Sequence, residues 1–192
     1  RSPAAAVRLG VGQRLLGRAR DALETLQAAD GGALALFHQG LAHAVEGLHD
    51  KAGELFTAAR KAGYEAAACV AATAESLRAA GRHDDARSHL DSLGDDAGGT
   101  SADYWAAKAA VLAETGSPPM EIGDALERAL TADPGHGHAL FLSGVMHDRF
   151  GNDDEAVECY ERSLQRYPAS LGSLINLGLL YEDRDDFTKA QR

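Results

Sequence analysis

"FGNDDEAVECY", Phe150 to Tyr160, places a glycine, four polar or acidic residues and an alanine ahead of a partly apolar run. The same frame returns along the chain. Aligning on the glycine and on the alanine five places later gives "GRARDA" at Gly17–Ala22, "GLHDKA" at Gly47–Ala52, "GRHDDA" at Gly81–Ala86 and "GNDDEA" at Gly151–Ala156. A weaker "DDFTKA" ends at Ala190. A segment that recurs in this way punctuates a repeated unit, and the unit has to be read before any chemistry is assigned to its acids.

Extended in both directions, the copies define units starting near Pro3, Ala33, Ala67, Asp103, Gly137 and Leu171, with offsets of 30, 34, 36, 34 and 34 residues. The eighth place of each unit holds Gly10, Gly40, Ala74, Ala110, Gly144 or Gly178, and the twentieth holds Ala22, Ala52, Ala86, Ile122, Ala156 or Ala190. Two antiparallel helices that cross closely need such small residues where their backbones approach. Four places beyond the alanine stands a large side chain, Leu26, Phe56, Leu90, Leu126 or Tyr160, expected to fill the space beside the crossing.

This pattern resembles the tetratricopeptide repeat (TPR) family. The fifth unit carries it best, through Leu140, Gly144, His147, Gly151, Ala156, Tyr160, Ser163 and Pro168; the sixth follows through Leu174, Leu177, Gly178, Tyr181 and Ala190. The resemblance implies an all-α fold, a right-handed α-solenoid of antiparallel helix pairs with about five and a half repeats. One array then spans residues 1–192, with repeats near 3–32, 33–66, 67–102, 103–136, 137–170 and a truncated 171–192. Departures are local. Unit four has Ile122 for the alanine and "GSPP" for its turn, so Pro118 and Pro119 should start the second helix at once. The short link after unit one and the extra residues in "DDAGGT" after unit three mark the joints where curvature should be least regular. The sixth unit stops about one turn into its second helix, which leaves the apolar face of Leu174, Leu177 and Tyr181 partly uncovered. Self-association through that repeat, or continuation in a longer chain, is the expectation; a chain opening at Arg1 and closing at Arg192 reads as a fragment.

Within this frame the acids of "GNDDEA" are helix-start residues: Asn152 or Asp153 is expected to cap the second helix, with Asp154 and Glu155 in its first turn, where the helix dipole favours negative charge. A calcium loop needs glycine at its sixth place, and counting from Asp148 finds Asp153 there. Cys69 and Cys159, ninety positions apart, form neither a disulfide framework nor a zinc knuckle and read as core residues. His43 and His147 occupy one repeat position and His49 and His83 another, as aromatic substitutes in packing slots; His136 and His138 are a close pair short of a zinc ligand set and read as surface residues. No phosphate loop or nucleophile elbow is present, so neither an enzyme nor a cofactor or metal site is expected.

Charge and hydropathy bound the partners. A formal charge of -10 from 19 basic and 29 acidic residues disfavours direct nucleic-acid binding. No apolar run approaches the length of a membrane span and no charged-then-apolar leader opens the chain, so no membrane role is expected and a cytoplasmic setting is.

In TPR proteins the first helix of each unit lines a concave face with its second, fifth, ninth, twelfth and thirteenth residues. Here the resemblance assigns Leu34, Phe37 and Leu41 in unit two, Tyr104 and Val111 in unit four, His138, Phe141, Val145 and Arg149 in unit five, and Ile175 and Leu179 in unit six. Glu75, Arg78 and Asp148 join Arg149 at the rim. Relatives that grip the acidic C-terminus of a chaperone use Lys, Asn and Arg at these places, and the Lys–Asn pairing is missing here. An apolar strip suits an extended peptide or one face of an amphipathic helix; the same side chains also serve as core where adjacent first helices pack. Trp105, one place off the groove register, reads as core. The functional expectation is a scaffold that binds a partner protein's peptide or helix, with a self-assembling structural protein as the alternative. Phe141→Asp is expected to abolish binding and leave the circular dichroism unchanged.

Overall fold

A computed structural model describes residues 2–29, 31–94, 98–168 and 170–184 of the 192-residue chain. Among them are eleven helices: α1 (Pro3–Leu15), α2 (Ala19–Gln27), α3 (Gly32–Val45), α4 (His49–Lys61), α5 (Ala66–Ala79), α6 (His83–Asp91), α7 (Ala102–Glu114), α8 (Pro119–Ala132), α9 (Gly137–Arg149), α10 (Asp153–Arg166) and α11 (Leu171–Asp183). They fall into two compact units, residues 1–99 and 100–192. The division lies within "DDAGGT", where the repeat spacing gains its extra residues.

In the first unit α1, α3 and α5 each pack on the helix that follows them, α2 and α4 pack on the next pair, and α1 and α5 flank α3. The second unit repeats the scheme with α7/α8, α9/α10 and α11. Each unit is therefore a stretch of α-solenoid, with stability shared between a pair and its neighbours.

The recurring glycine ends the first helix of a pair. Gly151 has φ +71°, a conformation costly for side chains with a Cβ. Its N–H donates to the Asp148 carbonyl at 3.0 Å, and the Asn152 N–H donates to the His147 carbonyl at 2.9 Å. These two bonds are the Schellman closure, which satisfies the last carbonyls of α9 and turns the chain. Matching pairs of bonds close α1 at Gly17, α3 at Gly47 and α5 at Gly81. In unit four the turn is one residue longer, from Gly116 through Ser117 and Pro118 to Pro119 at the first position of α8. Ile122 thereby falls at the fourth residue of its helix, the place Ala22, Ala52, Ala86 and Ala156 hold in theirs, and it is buried.

One expectation about this turn needs correction. Asn152 stands at the N-cap of α10, but its side chain makes no capping bond, and Asp153 is the first helical residue. The Schellman closure holds Asn152 at φ -93°, ψ 66°, away from the extended conformation that aims a cap side chain at the helix amides. Side-chain caps appear on first helices instead, from Ser2 to Ala5 N–H and from Ser101 to Tyr104 N–H, both at 3.3 Å. Asp154 and Glu155 do lie in the first turn of α10. The turns of successive pairs are also linked by charge: Arg82 reaches Asp50 at 2.9 Å and Arg184 reaches Asp154 at 2.8 Å. All four groups are substantially exposed, so each bridge contributes under about 1 kcal/mol and sets register more than stability.

The small-residue crossings hold as expected in three pairs. A Cβ built on Gly10 would lie 2.5 Å from Leu26 Cγ, on Gly40 2.5 Å from Phe56 Cε1, and on Gly144 2.5 Å from Tyr160 Cε1. Leu26, Phe56 and Tyr160 are fully buried. The partner expected for Gly178, Ala190, lies outside the described residues. The short link after unit one closes on Gly31, where a Cβ would collide with Val7 and with the Ala35 methyl group at 2.7 Å.

Candidate functional site

Side-by-side packing of first helices gives each unit a face on which the groove-register residues sit. In the second unit that face is built by α9 and α11. The Phe141 ring lies over Gly172, whose absent side chain leaves room for it: a Cβ there would meet the ring at 2.8 Å. The ring also stands 6.1 Å from Tyr160 and 6.5 Å from the stacked His138 ring. Phe141 and Val145 are half-buried against the Ala156, Tyr160 and Leu180 core. One and two turns beyond Gly172 on α11, Ile175 and Leu179 remain 51% and 54% exposed. Arg149 is exposed at the end of α9. These residues make an apolar surface whose edge carries Arg149 next to the exposed Asp148, as their shared register requires.

In the first unit the register residues are more committed to the interior. Phe37 is stacked on Tyr64 at 4.3 Å and tilted against Phe56 at 5.5 Å, and Leu41 joins that cluster. Leu34 keeps substantial exposure. Tyr104 and Val111 do not belong to a surface at all: they are 0% and 1% exposed. Helix α7 is sunk so deeply that eight of its thirteen residues are buried, and groove register there coincides with core. The rim pair Glu75–Arg78 bridges to itself at 2.9 Å. Trp105 is buried as expected, with the Arg128 guanidinium 4.5 Å from its ring centroid.

His136 is not the surface residue its spacing implies. It caps α9, its Nδ1 accepting from the Ala139 N–H at 3.2 Å, while Nε2 lies 3.0 Å from Asp103 Oδ1. An accepting Nδ1 leaves the ring proton on Nε2, which donates to the carboxylate and ties α7 to α9. That hydrogen bond, with the electrostatic attraction of the neighbouring imidazoles, holds the largely exposed Asp103 carboxyl below the usual aspartate range. A depressed carboxyl stabilises the fold above its unfolded-state pKa, and the contribution disappears as pH falls through the folded-state value. Asp103→Asn should therefore lower the midpoint of urea unfolding slightly at neutral pH, with the gap to the wild type closing below about pH 4. Unfolding curves at several pH values check this.

Other histidines stitch repeats as well: His49 Nδ1 is 3.0 Å from Ser76 Oγ. A buried hydroxyl chain does the same in the second unit, where Ser173 donates to Ser163 at 3.1 Å and Ser163 donates to the Gly137 carbonyl at 2.9 Å. Tyr181, expected to be partly uncovered, is buried and donates to Glu161 at 2.6 Å, whereas Leu174 is exposed. Cys69 is buried in the Phe56 cluster and Cys159 is half-buried; both are free thiols with burial raising their pKa. Among the described residues no cluster of three or more His, Cys, Asp or Glu could hold a metal, and no helix is long and apolar enough to cross a membrane.

Sequence register missed a cleft of about 520 Å³ between α8 and α9, lined by Leu126, Leu130, Met146, His147 and Phe150 among others. Its one legible signal is the exposed Phe150 directly ahead of the turn glycine.

Helix pairs crossing on small residues, closed by a glycine turn and stacked at a spacing near 34 residues, define a helical repeat scaffold. The tetratricopeptide repeat model matches residues 5–68, 71–136 and 123–170, and the chain belongs to that family. Solved structures of the same fold include a thermophilic TPR protein from Thermus thermophilus, with TM-score 0.76 and 19% identity over 94% of this chain and 100% of that one. They also include PilW, described as a widely conserved type IV pilus biogenesis factor, with TM-score 0.69 and 17% identity over 98% and 89%. A third is PilF of Pseudomonas aeruginosa, with TM-score 0.67 and 18% identity over 98% and 88%. At these identities the likeness concerns the fold. No curated protein matches the chain significantly.

Proposed function

We propose that this TPR protein is a protein-interaction scaffold whose second unit receives the apolar side of an amphipathic helix or extended peptide on the α9–α11 face. One observation carries the reading: Ile175 and Leu179, at groove register, keep half their surface in water on a helix that also leaves Leu171 and Leu174 exposed, buries Leu180 and Tyr181, and packs beside the helix of Phe141 and Val145.

Display selection of amphipathic helical peptides against the 192-residue chain supplies the ligand for the test. Ile175→Asp with Leu179→Asp should weaken the selected peptide by about thirtyfold or more, the loss typical of central apolar contacts, with an unchanged circular dichroism spectrum. Retained affinity in the double variant would remove the α9–α11 face from the reading. Dimerisation on dilution series without peptide, abolished by the same pair of substitutions, would assign the face to a second copy of the chain.

A further inference from the structure

We infer that the cleft between α8 and α9 receives the tyrosine side chain of a partner peptide whose neighbouring residues are basic. The two helices meet where one pair passes to the next, and they pack less closely than α2 on α3, α4 on α5 or α10 on α11. A space of about 520 Å³ remains, within the range of about 300–1,000 Å³ typical of ligand clefts. Gly123 borders it, and a Cβ built there would meet nothing within 4 Å. Burial grades the rest of the lining by depth. Leu126 and Ser143 are 4% and 8% exposed and form the floor, Leu130 and Met146 are half-buried, and Phe150 and Glu127 stand exposed at the mouth.

Ser143 points to what fills the floor. The four other buried hydroxyls of the described residues have partners: Thr73 donates to the Cys69 carbonyl, Ser76 meets His49, Ser163 donates to the Gly137 carbonyl and Ser173 donates to Ser163. The Ser143 side chain has no hydrogen bond among the described residues, and its oxygen is not sealed away from solvent. A partly dried hydroxyl without a protein partner is costly, and a polar group arriving through the cleft relieves that cost. Tyrosine supplies both parts, a ring for Leu126, Leu130 and the Met146 thioether and a phenol for Ser143. Charge at the mouth selects what flanks it. Glu127 is the one carboxylate of the lining, His147 is its only other titratable group, and neither Lys nor Arg joins them. Next to the lining residues in sequence stand Asp124, Asp148 and Asp153 against Arg128 and Arg149; Arg128 lies over the Trp105 ring, and Arg184 is 3.9 Å from Asp153. The balance is acidic, so lysine or arginine beside the tyrosine is favoured over a carboxylate. The cleft lies on the side of α9 opposite Phe141 and Val145 and does not rest on the α9–α11 reading.

The test follows the carbon-13 methyl signal of Met146, one of two methionines, by NMR in the 192-residue chain. The probes are the acetylated, amidated tripeptides Lys-Tyr-Lys, Lys-Phe-Lys, Lys-Ala-Lys and Glu-Tyr-Glu. A saturable shift with Lys-Tyr-Lys is expected, with Lys-Phe-Lys and Glu-Tyr-Glu each about threefold or more weaker and Lys-Ala-Lys about tenfold or more weaker. Ser143→Ala should erase the preference for tyrosine over phenylalanine. Gly123→Leu, which improves helix propensity while filling the open space, should weaken Lys-Tyr-Lys about tenfold or more with an unchanged circular dichroism spectrum. Ser143→Ala deletes only a hydroxyl and decides the matter by itself if Gly123→Leu fails to fold. The inference is overturned by equal binding of the tyrosine and phenylalanine peptides, by a tyrosine preference that survives Ser143→Ala, by undiminished binding in folded Gly123→Leu, by Glu-Tyr-Glu binding as well as Lys-Tyr-Lys, or by shifts that never saturate.

Discussion

Tyr160→Ala should cost the second unit about 3–5 kcal/mol, because it empties the volume that a fully buried ring fills beside the Gly144 crossing. The loss extends to the bond from Asn176 Nδ2 to the Tyr160 hydroxyl, 3.0 Å long, which couples α10 to α11. A companion substitution makes the expectation specific. In the wild type, Gly144→Ala would set a methyl group 2.5 Å from Tyr160 Cε1 and should destabilise by about 1–3 kcal/mol. In the Tyr160→Ala background that methyl group enters vacated space and removes the entropic penalty of a mid-helix glycine, so the same change should be neutral or favourable. Urea unfolding followed through the buried Trp105, which belongs to the same unit, measures both steps. Equal costs for Gly144→Ala in the two backgrounds would mean that close approach at the crossing is not what selects glycine there.

Phe141→Asp is the second large effect, and its character differs from the sequence expectation of a clean binding loss. The ring is packed over Gly172 and against the Tyr160 cluster, so a carboxylate at this position would be pushed into a half-dry apolar site and the ring's contacts would vanish. A destabilisation of about 3 kcal/mol or more is expected, combining loss of an aromatic side chain with poor solvation of a charge. The circular dichroism melt should therefore shift to lower temperature together with any loss of binding. Phe141→Leu, which retains apolar volume, should keep the fold. A Phe141→Asp variant with wild-type stability would restore Phe141 to the exposed surface and contradict its packing.

The crossings at Gly10, Gly40 and Gly144, with Leu26, Phe56 and Tyr160 beside them, were legible in the sequence for a simple physical reason: a large side chain seated directly on the glycine leaves no room for a Cβ, so the requirement is written as residue type at fixed spacing. The turn glycines were equally visible, since positive φ restricts the choice at Gly17, Gly47, Gly81 and Gly151. The candidate site was legible only as register. Register names the side of a helix, and Tyr104, Val111, Phe141 and Ile175 all satisfy it, yet the first two are core, the third is shared and the fourth is exposed. Asn152 shows the same limit on a local scale: its type announced a cap, and the backbone angles set by the preceding glycine withheld the bond.

The amino-acid order alone determined that this chain is a stack of TPR helix pairs, where each pair turns and which residues meet at each crossing, because those features depend on steric exclusion within about 34 residues. Tertiary structure alone decided which apolar positions stay in water and which polar ones lose it. Exposure of Ile175 and Leu179, the bond from His136 to Asp103 and the burial of Tyr104 and Val111 all arise from how one helix pair lies on the next, and burial at such a boundary is a property of both surfaces rather than of either sequence segment.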